Sequence, residues 1–353
     1  MKKRIWNLII ILVLCTGLLA GCSNNETINK DKKFSVVTTI FPEYDWVREL
    51  LGGNAGNYDL TLLLDKGVDL HSYQPTTADI AKIAGCDMFI YVGGESDEWV
   101  NDALAEATNK EMIVINLLDV LGDAIKEEEV VEGMESEEEI AEESESSNNT
   151  SIEENGSMEE VNDDLAEESN SIEEIEYDEH VWLSLKNAII ICNKIAESLS
   201  SIDSQNANSY QSNCEKYIEK LIALDKEYKK AVDSSTVKTI LFGDRFPFRY
   251  MVDDYGLNYS AAFVGCSAET EASYETIVFL AKKIDELGLS TVLTIENSDQ
   301  SIAKTIIENT TTMDQTVLVM NSLQSVTSND ITNGVTYYSI MSDNLKTLKQ
   351  ALQ

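Results

Sequence analysis

The sequence predicts an α/β protein of two βα lobes with parallel sheets, joined by a long rigid helix, with a binding cleft between the lobes. Three observations predict it. Apolar, β-rich runs alternate with helical patterns between residues 34 and 115, the alternation restarts near residue 237, and the stretch 205–232 between them holds no glycine or proline. Strands that alternate with helices form parallel sheets covered on both faces.

Taken in order, residues 1–22 read as a targeting segment. Lys2, Lys3 and Arg4 precede an apolar run from Ile5 to Leu19, and Leu19-Ala20-Gly21-Cys22 puts small residues before a cysteine. The run is shorter than the roughly 20 residues a membrane span needs. It therefore predicts a cleaved bacterial lipoprotein signal with Cys22 as the lipidation site, and a protein anchored by lipid on the extracytoplasmic face of the cell membrane. Residues 23–33 are polar and form a flexible tether.

The first lobe spans 34–200. Strands are expected at Phe34–Ile40, Tyr58–Leu64, Met88–Val92 and Met112–Ile115, with helices at Tyr44–Leu51, Thr76–Ala84 and Glu98–Ala107. An acidic tract, 124–177, interrupts it. From Glu127 to Glu179 there are 24 Asp or Glu and no Lys or Arg, so removing them from the formal net charge of −37 leaves −13 for the rest. Dense like charge keeps such a tract from burying enough apolar surface to offset chain entropy, and a disordered loop is expected. This balance excludes a nucleic-acid partner, whose phosphates need basic groups, and it attracts cations.

Leu183–Leu199 carries Ala188, Ile191, Ile195 and Leu199 at helical spacing, and 205–233 continues as the connecting helix with Tyr210, Tyr217, Leu221, Leu224 and Tyr228. About 28 residues at 1.5 Å each give roughly 40 Å, enough to bridge two lobes and to limit hinge motion. The second lobe, 236–353, has strands at Val237–Phe242, Tyr259–Phe263, Thr291–Ile295 and Thr316–Met320, and helices at Phe248–Tyr255, Tyr274–Leu287 and Ser301–Asn309.

The chain contains only two histidines, His71 and His180. In open parallel sheets ligands bind beyond the carboxyl ends of the strands. His71 follows the second strand, Asp244 follows the first strand of the second lobe, Glu296 and Asp299 follow its third, and His180 follows the acidic tract. Two imidazoles with one or two carboxylates suit a divalent transition metal, Zn²⁺ first and Mn²⁺ as the alternative. Of six cysteines, Cys15 leaves with the signal and Cys22 is acylated. Cys86, Cys192, Cys214 and Cys266 are expected as buried reduced thiols, since no CxxC spacing points to a thiolate metal site.

Four stretches carry a resemblance: Val36-Val37-Thr38-Thr39-Ile40-Phe41-Pro42, Val68 to Pro75 around His71, Glu179-His180-Val181-Trp182-Leu183-Ser184, and Tyr250 to Leu257. Together with the lipid signal, the sequence resembles the metal-binding lipoproteins of bacterial ABC importers for zinc and manganese, the cluster with the ZnuA-type proteins. The resemblance implies two βα lobes, a long helix, one metal ion in the cleft and delivery of that ion to an ABC permease. It puts His71 and His180 on the first two ligand positions. Arg245 stands at the third, and an arginine has no lone pair to give a cation. Asp244 beside it is the substitute donor, or else Arg245 pairs with a nearby acid. Asp299 matches the fourth position, with Glu296 the near alternative. Asp178, Glu179, Glu269 and Glu271 are assigned to the rim or to helix caps. Zinc-binding members carry a histidine-rich loop where this chain has its acidic tract, which implies a cation-gathering role.

No HExxH, no GxSxG and no nucleophile–base pair is present, so no enzyme activity is expected; a zinc-dependent hydrolase is the rival reading. The Arg245 substitution supports a second rival, an adhesin or sensor with altered metal binding. A monomer is expected.

Overall fold

Two four-stranded parallel sheets, each with a crossover at its centre, carry the chain. The structure is a computed structural model that describes residues 33–135, 176–267 and 271–353. The targeting segment, Cys22, the tether up to residue 32, the centre of the acidic tract and Glu269 lie outside the described residues. Phe34–Gln353 form one compact unit.

The first lobe runs β1 (Phe34–Thr38), α1 (Phe41–Leu51), β2 (Tyr58–Leu62), α2 (Thr77–Gly85), β3 (Met88–Tyr91), α3 (Trp99–Ala105), β4 (Ile113–Asn116) and α4 (Leu117–Leu121). Its sheet order is β2-β1-β3-β4, with Val36 of β1 opposite both Leu60 and Met88. Local chemistry sets the helix starts. Pro42 sits in the first turn of α1, where its missing N–H is no loss, and the Glu43 carboxylate accepts from the Thr39 and Ile40 amides at 2.9 and 3.3 Å. Thr76 and Asp79 cap α2 reciprocally.

Two helices follow: α5 (Leu185–Ile202) and the 28-residue α6 (Ala207–Ser234), the connecting rod. Every buried residue of α6 lies on one stripe, Tyr210, Cys214, Tyr217, Leu221, Leu224, Tyr228 and Val232. Its Asn213 donates to the Leu50 carbonyl at 2.9 Å, and its Tyr228 hydroxyl donates to the Met341 carbonyl at 2.6 Å, so one rod touches both lobes.

The second lobe runs β5 (Thr239–Phe246), α7 (Arg249–Tyr255), β6 (Asn258–Val264), α8 (Tyr274–Leu287), β7 (Thr291–Thr294), α9 (Ser301–Glu308), β8 (Thr316–Val319), α10 (Ser328–Thr332) and α11 (Tyr337–Ala351). Its sheet order is β6-β5-β7-β8. β5 outruns the strand expected to stop at Phe242. Phe242 pairs with Ala261 and Arg245 with Phe263, three steps against two, so β5 carries a bulge at Gly243–Asp244 and resumes beyond it.

One apolar cluster includes Val37 and Phe89 of the first sheet, Tyr217 and Leu221 of α6, and Phe242 and Leu293 of the second sheet. The lobes therefore share a core. α11 adds a second tie, because the Tyr337 amide donates to Asp45 of α1 at 2.7 Å and its hydroxyl to the Trp182 carbonyl at 2.8 Å.

The flanks of the acidic tract depart from the expected disorder over 124–177. Glu127 and Tyr177 form an antiparallel bridge, the Glu128 amide donates to the Glu176 carbonyl at 2.9 Å, and the Glu135 amide donates to the Ala262 carbonyl of β6 at 3.0 Å. Met134 is buried there. The cause is the edge of the second sheet, whose free carbonyls and apolar side chains give this stretch partners that composition does not reveal. Among the described residues no helix is long and apolar enough to cross a membrane.

Candidate metal centre

His71 is held on a one-turn segment, Leu70–Ser72, in the connection that follows β2. Asp69 caps that turn by accepting from the His71 amide at 3.1 Å. The ring Nδ1 faces Ser96 Oγ at 2.7 Å and Glu179 Oε2 at 3.5 Å. His180 is fully buried, ahead of the turn Val181–Leu183 that leads into α5. Asp178 Oδ1 accepts from both the His180 amide at 2.8 Å and its Nδ1 at 3.0 Å. A carboxylate can only accept, so Nδ1 of His180 carries the hydrogen and Nε2 presents a lone pair.

The two Nε2 atoms lie 3.2 Å apart, with ring centroids 5.1 Å apart and planes tilted by 52°. Zinc–nitrogen bonds of about 2.0–2.1 Å in tetrahedral array put two nitrogens roughly 3.3–3.4 Å from each other. The imidazoles thus already stand as one edge of a tetrahedron, and each has a hydrogen-bond partner behind it, as metal-binding histidines do.

Cys266 stands beside the two rings. Its sulfur and the two imidazole nitrogens lie within 4.8 Å of one another, the one such histidine, cysteine and carboxylate group among the described residues. It sits on Gly265-Cys266-Ser267, just beyond the carboxyl end of β6. A Cβ on Gly265 would stand 2.9 Å from Cε1 of His180 and 3.0 Å from the Phe246 carbonyl oxygen, so only glycine lets this loop approach the ring so closely. All four described cysteines are free, as expected; Cys86, Cys192 and Cys214 are buried, whereas Cys266 is only partly so. CxxC spacing does not bear on a cysteine that meets its neighbours through the fold. The strand-end rule that singled out His71 applies equally to Cys266 after β6.

The carboxylates expected as donors are engaged elsewhere. Asp244, at the bulge, accepts from the Arg245 amide at 2.8 Å and the Ile295 amide at 3.2 Å. Glu296 accepts from the Ser322 amide at 2.6 Å, the Ser322 hydroxyl at 2.8 Å and the Ser325 hydroxyl at 3.2 Å. Asp299 is solvent-facing and accepts from the Ser301 amide at 2.7 Å, at the start of α9. All three line a cavity of about 450 Å³ with Asp69 and Arg245. Arg245 takes the ion-pair alternative. Its Nη2 meets Asp69 at 3.0 Å, and its Nη1 donates to the Ser267 carbonyl at 3.3 Å. Asp178 and Glu179, assigned to the rim, are buried beside the histidines instead. Gly94, at φ +83°, leaves room for Glu179, whose Oε1 accepts from the Ser96 amide at 2.9 Å.

Electrostatics separates the two rings. Burial, then the neighbouring His180, depress the His71 pKa to about 4. Burial also opposes charge on His180, but the carboxylates of Asp178, Asp69 and Glu179 together outweigh it and leave the pKa above the ordinary 6.5. Burial, followed by the carboxylates of Glu128 and Asp178, pushes the Cys266 thiol well up.

Residues 36–351 match the family described as zinc-uptake complex component A, periplasmic (ZnuA). The zinc-binding lipoprotein AdcA of Streptococcus pneumoniae is 29% identical over 342 residues, 97% of this chain and 60% of AdcA, so the chain spans about three-fifths of that relative. The high-affinity zinc uptake system protein ZnuA of Bacillus subtilis is 25% identical over 351 residues, 98% of each chain. The crystal structure of the Zn(II)-bound ZnuA-like domain of S. pneumoniae AdcA aligns with a TM-score of 0.64 at 26% identity, covering 91% of this chain and 99% of that one.

Proposed function

The chain belongs to the zinc-uptake complex component A family, and from that premise we propose that it is a lipid-anchored extracytoplasmic receptor that captures one divalent metal ion, Zn²⁺, and hands it to an ABC permease in the membrane. One observation carries the reading. Two imidazoles, 109 residues apart in sequence, present their Nε2 atoms to each other at 3.2 Å, each backed by a partner that fixes its orientation. With both rings neutral and protonated on Nδ1, the two Nε2 lone pairs face one point, where a cation can accept both. The zinc-binding names of AdcA and ZnuA support Zn²⁺ as the cargo.

The receptor makes and breaks no covalent bonds in its cargo. His71 and His180 bind the ion, while Asp178, Ser96 and Glu179 orient the rings and balance charge. Cys22 anchors the chain at the membrane, and the charge of the acidic tract raises the local cation concentration.

Calorimetric titration of the full chain with Zn²⁺ and Mn²⁺ tests this. One tight zinc site is expected, weaker binding of manganese, and no tight site in His71→Ala with His180→Ala combined. Unchanged stoichiometry and affinity in that double variant would remove the ion from the cleft and the reading with it.

A further inference from the structure

We propose that Cys266 is the third metal donor, giving the cargo a shell of two imidazole nitrogens and one thiolate sulfur that selects zinc over manganese. This rests on the reading that the His71–His180 pair takes a divalent ion, and adds the residue that decides which ion.

Convergence is the first ground. The sulfur lies within 4.8 Å of both imidazole nitrogens. Zinc bonds of about 2.3 Å to sulfur and 2.0–2.1 Å to nitrogen put those atoms roughly 3.5–3.6 Å apart in a tetrahedron, so a modest side-chain rotation closes the shell.

The loop is also built to bring the thiol there. Gly265 packs its backbone on the His180 ring where a Cβ would collide, and the Glu128 carboxylate hydrogen-bonds the Cys266 backbone. Arg245 completes the arrangement. It binds Asp69, which caps the His71 turn, and the Ser267 carbonyl, next to Cys266. A guanidinium that cannot ligate thus braces the histidine turn against the cysteine loop. The donor missing from its own position arrives from the adjacent strand end, since the β5 bulge lets β6 pair on to Val264.

The other described cysteines are packed away. Cys86 lies against Met112 with sulfurs 3.3 Å apart, and Cys214 points at the Cys192 carbonyl at 3.4 Å. Cys266 alone among them is partly exposed.

On binding, the S–H bond breaks, the sulfur–metal bond forms with the sulfur pair, and the proton leaves to solvent. Three protein donors leave the fourth position open to water, the layout from which a carried ion can be exchanged. Soft thiolate favours zinc and cobalt, whereas manganese prefers oxygen donors.

The test loads the purified full chain with one equivalent of Co²⁺. A near-ultraviolet sulfur-to-cobalt charge-transfer band is expected in the wild type and absent in Cys266→Ser and Cys266→Ala, whose visible cobalt bands persist through the histidines. Zinc affinity should fall about a hundredfold in Cys266→Ser, and the preference for zinc over manganese by at least about tenfold. Cobalt bound by the wild type with no charge-transfer band would overturn Cys266 as a donor and leave the histidine site standing. No uptake of cobalt or zinc at all would overturn both. The wild-type spectrum decides even where a variant misfolds.

Discussion

The two walls of the cleft treat polar side chains in opposite ways. On the first-lobe wall, His71 has Ser96 and Glu179 behind it, and His180 has Asp178. The two rings are mostly or wholly buried and turn their Nε2 atoms toward each other. On the second-lobe wall, Asp244, Glu296 and Asp299 use their oxygens on backbone amides and serines, and Arg245 is an ion-pair brace. The same wall also carries the free thiol of Cys266. The comparison teaches that acidic residues near a cleft say little about ligation until their hydrogen-bond partners are counted. A carboxylate already accepting from amides gives those bonds up when it turns to a cation.

The largest effect that sharpens the contrast is loss of a histidine. Structural zinc sites release about 10–16 kcal/mol, so one donor of four is worth about 3 kcal/mol. His71→Ala or His180→Ala should each weaken zinc binding at least about a hundredfold in competition titrations with a chelator. A smaller loss in either would break the pairing of the two rings.

Next comes Asp178→Asn, which keeps the shape but removes the charge that holds the His180 ring. Its expected cost is 10–100-fold in zinc affinity, typical of an orienting partner. Circular dichroism should be unchanged, separating orientation from folding.

The third concerns pH. The raised pKa of His180 means that its ring takes up a proton first as pH falls, starting above the ordinary 6.5. Zinc affinity should therefore drop from near neutrality downward, and drop more steeply near pH 4, where His71 titrates. For the metal-free fold the two rings act in opposite directions: His180, raised, contributes stability that is present below about 6.5 and lost as pH rises through its folded value, whereas His71, lowered to about 4, contributes stability that is present above about 6.5 and lost as pH falls toward 4. Zinc affinity measured from pH 8 to 4, with metal-free melting temperature over the same range, checks both; Asp178→Asn should shift the first drop to lower pH.

The smallest effects belong to the second-lobe wall. Asp244→Asn and Asp299→Asn should leave zinc affinity within about twofold, and the exposed Asp299 should scarcely change the melting temperature. Glu296→Gln should cost about 1–3 kcal/mol of stability through the Ser322 and Ser325 contacts, with little change in binding. A tenfold loss of zinc affinity in any of these would restore the carboxylates as donors.

Much of this was legible in the chain. Periodicity fixed α6, because 28 residues without a helix breaker admit one rod, and it fixed the strand alternation of both lobes. With only two histidines, any imidazole site had to use His71 and His180. What was not legible depended on partners remote in sequence. The Asp69 that pairs with Arg245 is 176 residues away from it. The stretch after Glu127 found order on a sheet edge formed more than a hundred residues later. Asp178 and Glu179 read as rim acids because composition cannot show that a ring will bury them. The approach of Cys266 to the two rings was not legible from cysteine spacing; its place at the end of β6 was the informative property.

One feature of the fold bears on how the cargo leaves. The two sheets rest on a common interior, and α6 and α11 each touch both halves. Contacts of this kind resist a book-like swing of one half against the other. For the proposed receptor, unloading would then rest on substitution at the ion, with an incoming group displacing the resident donors one after another.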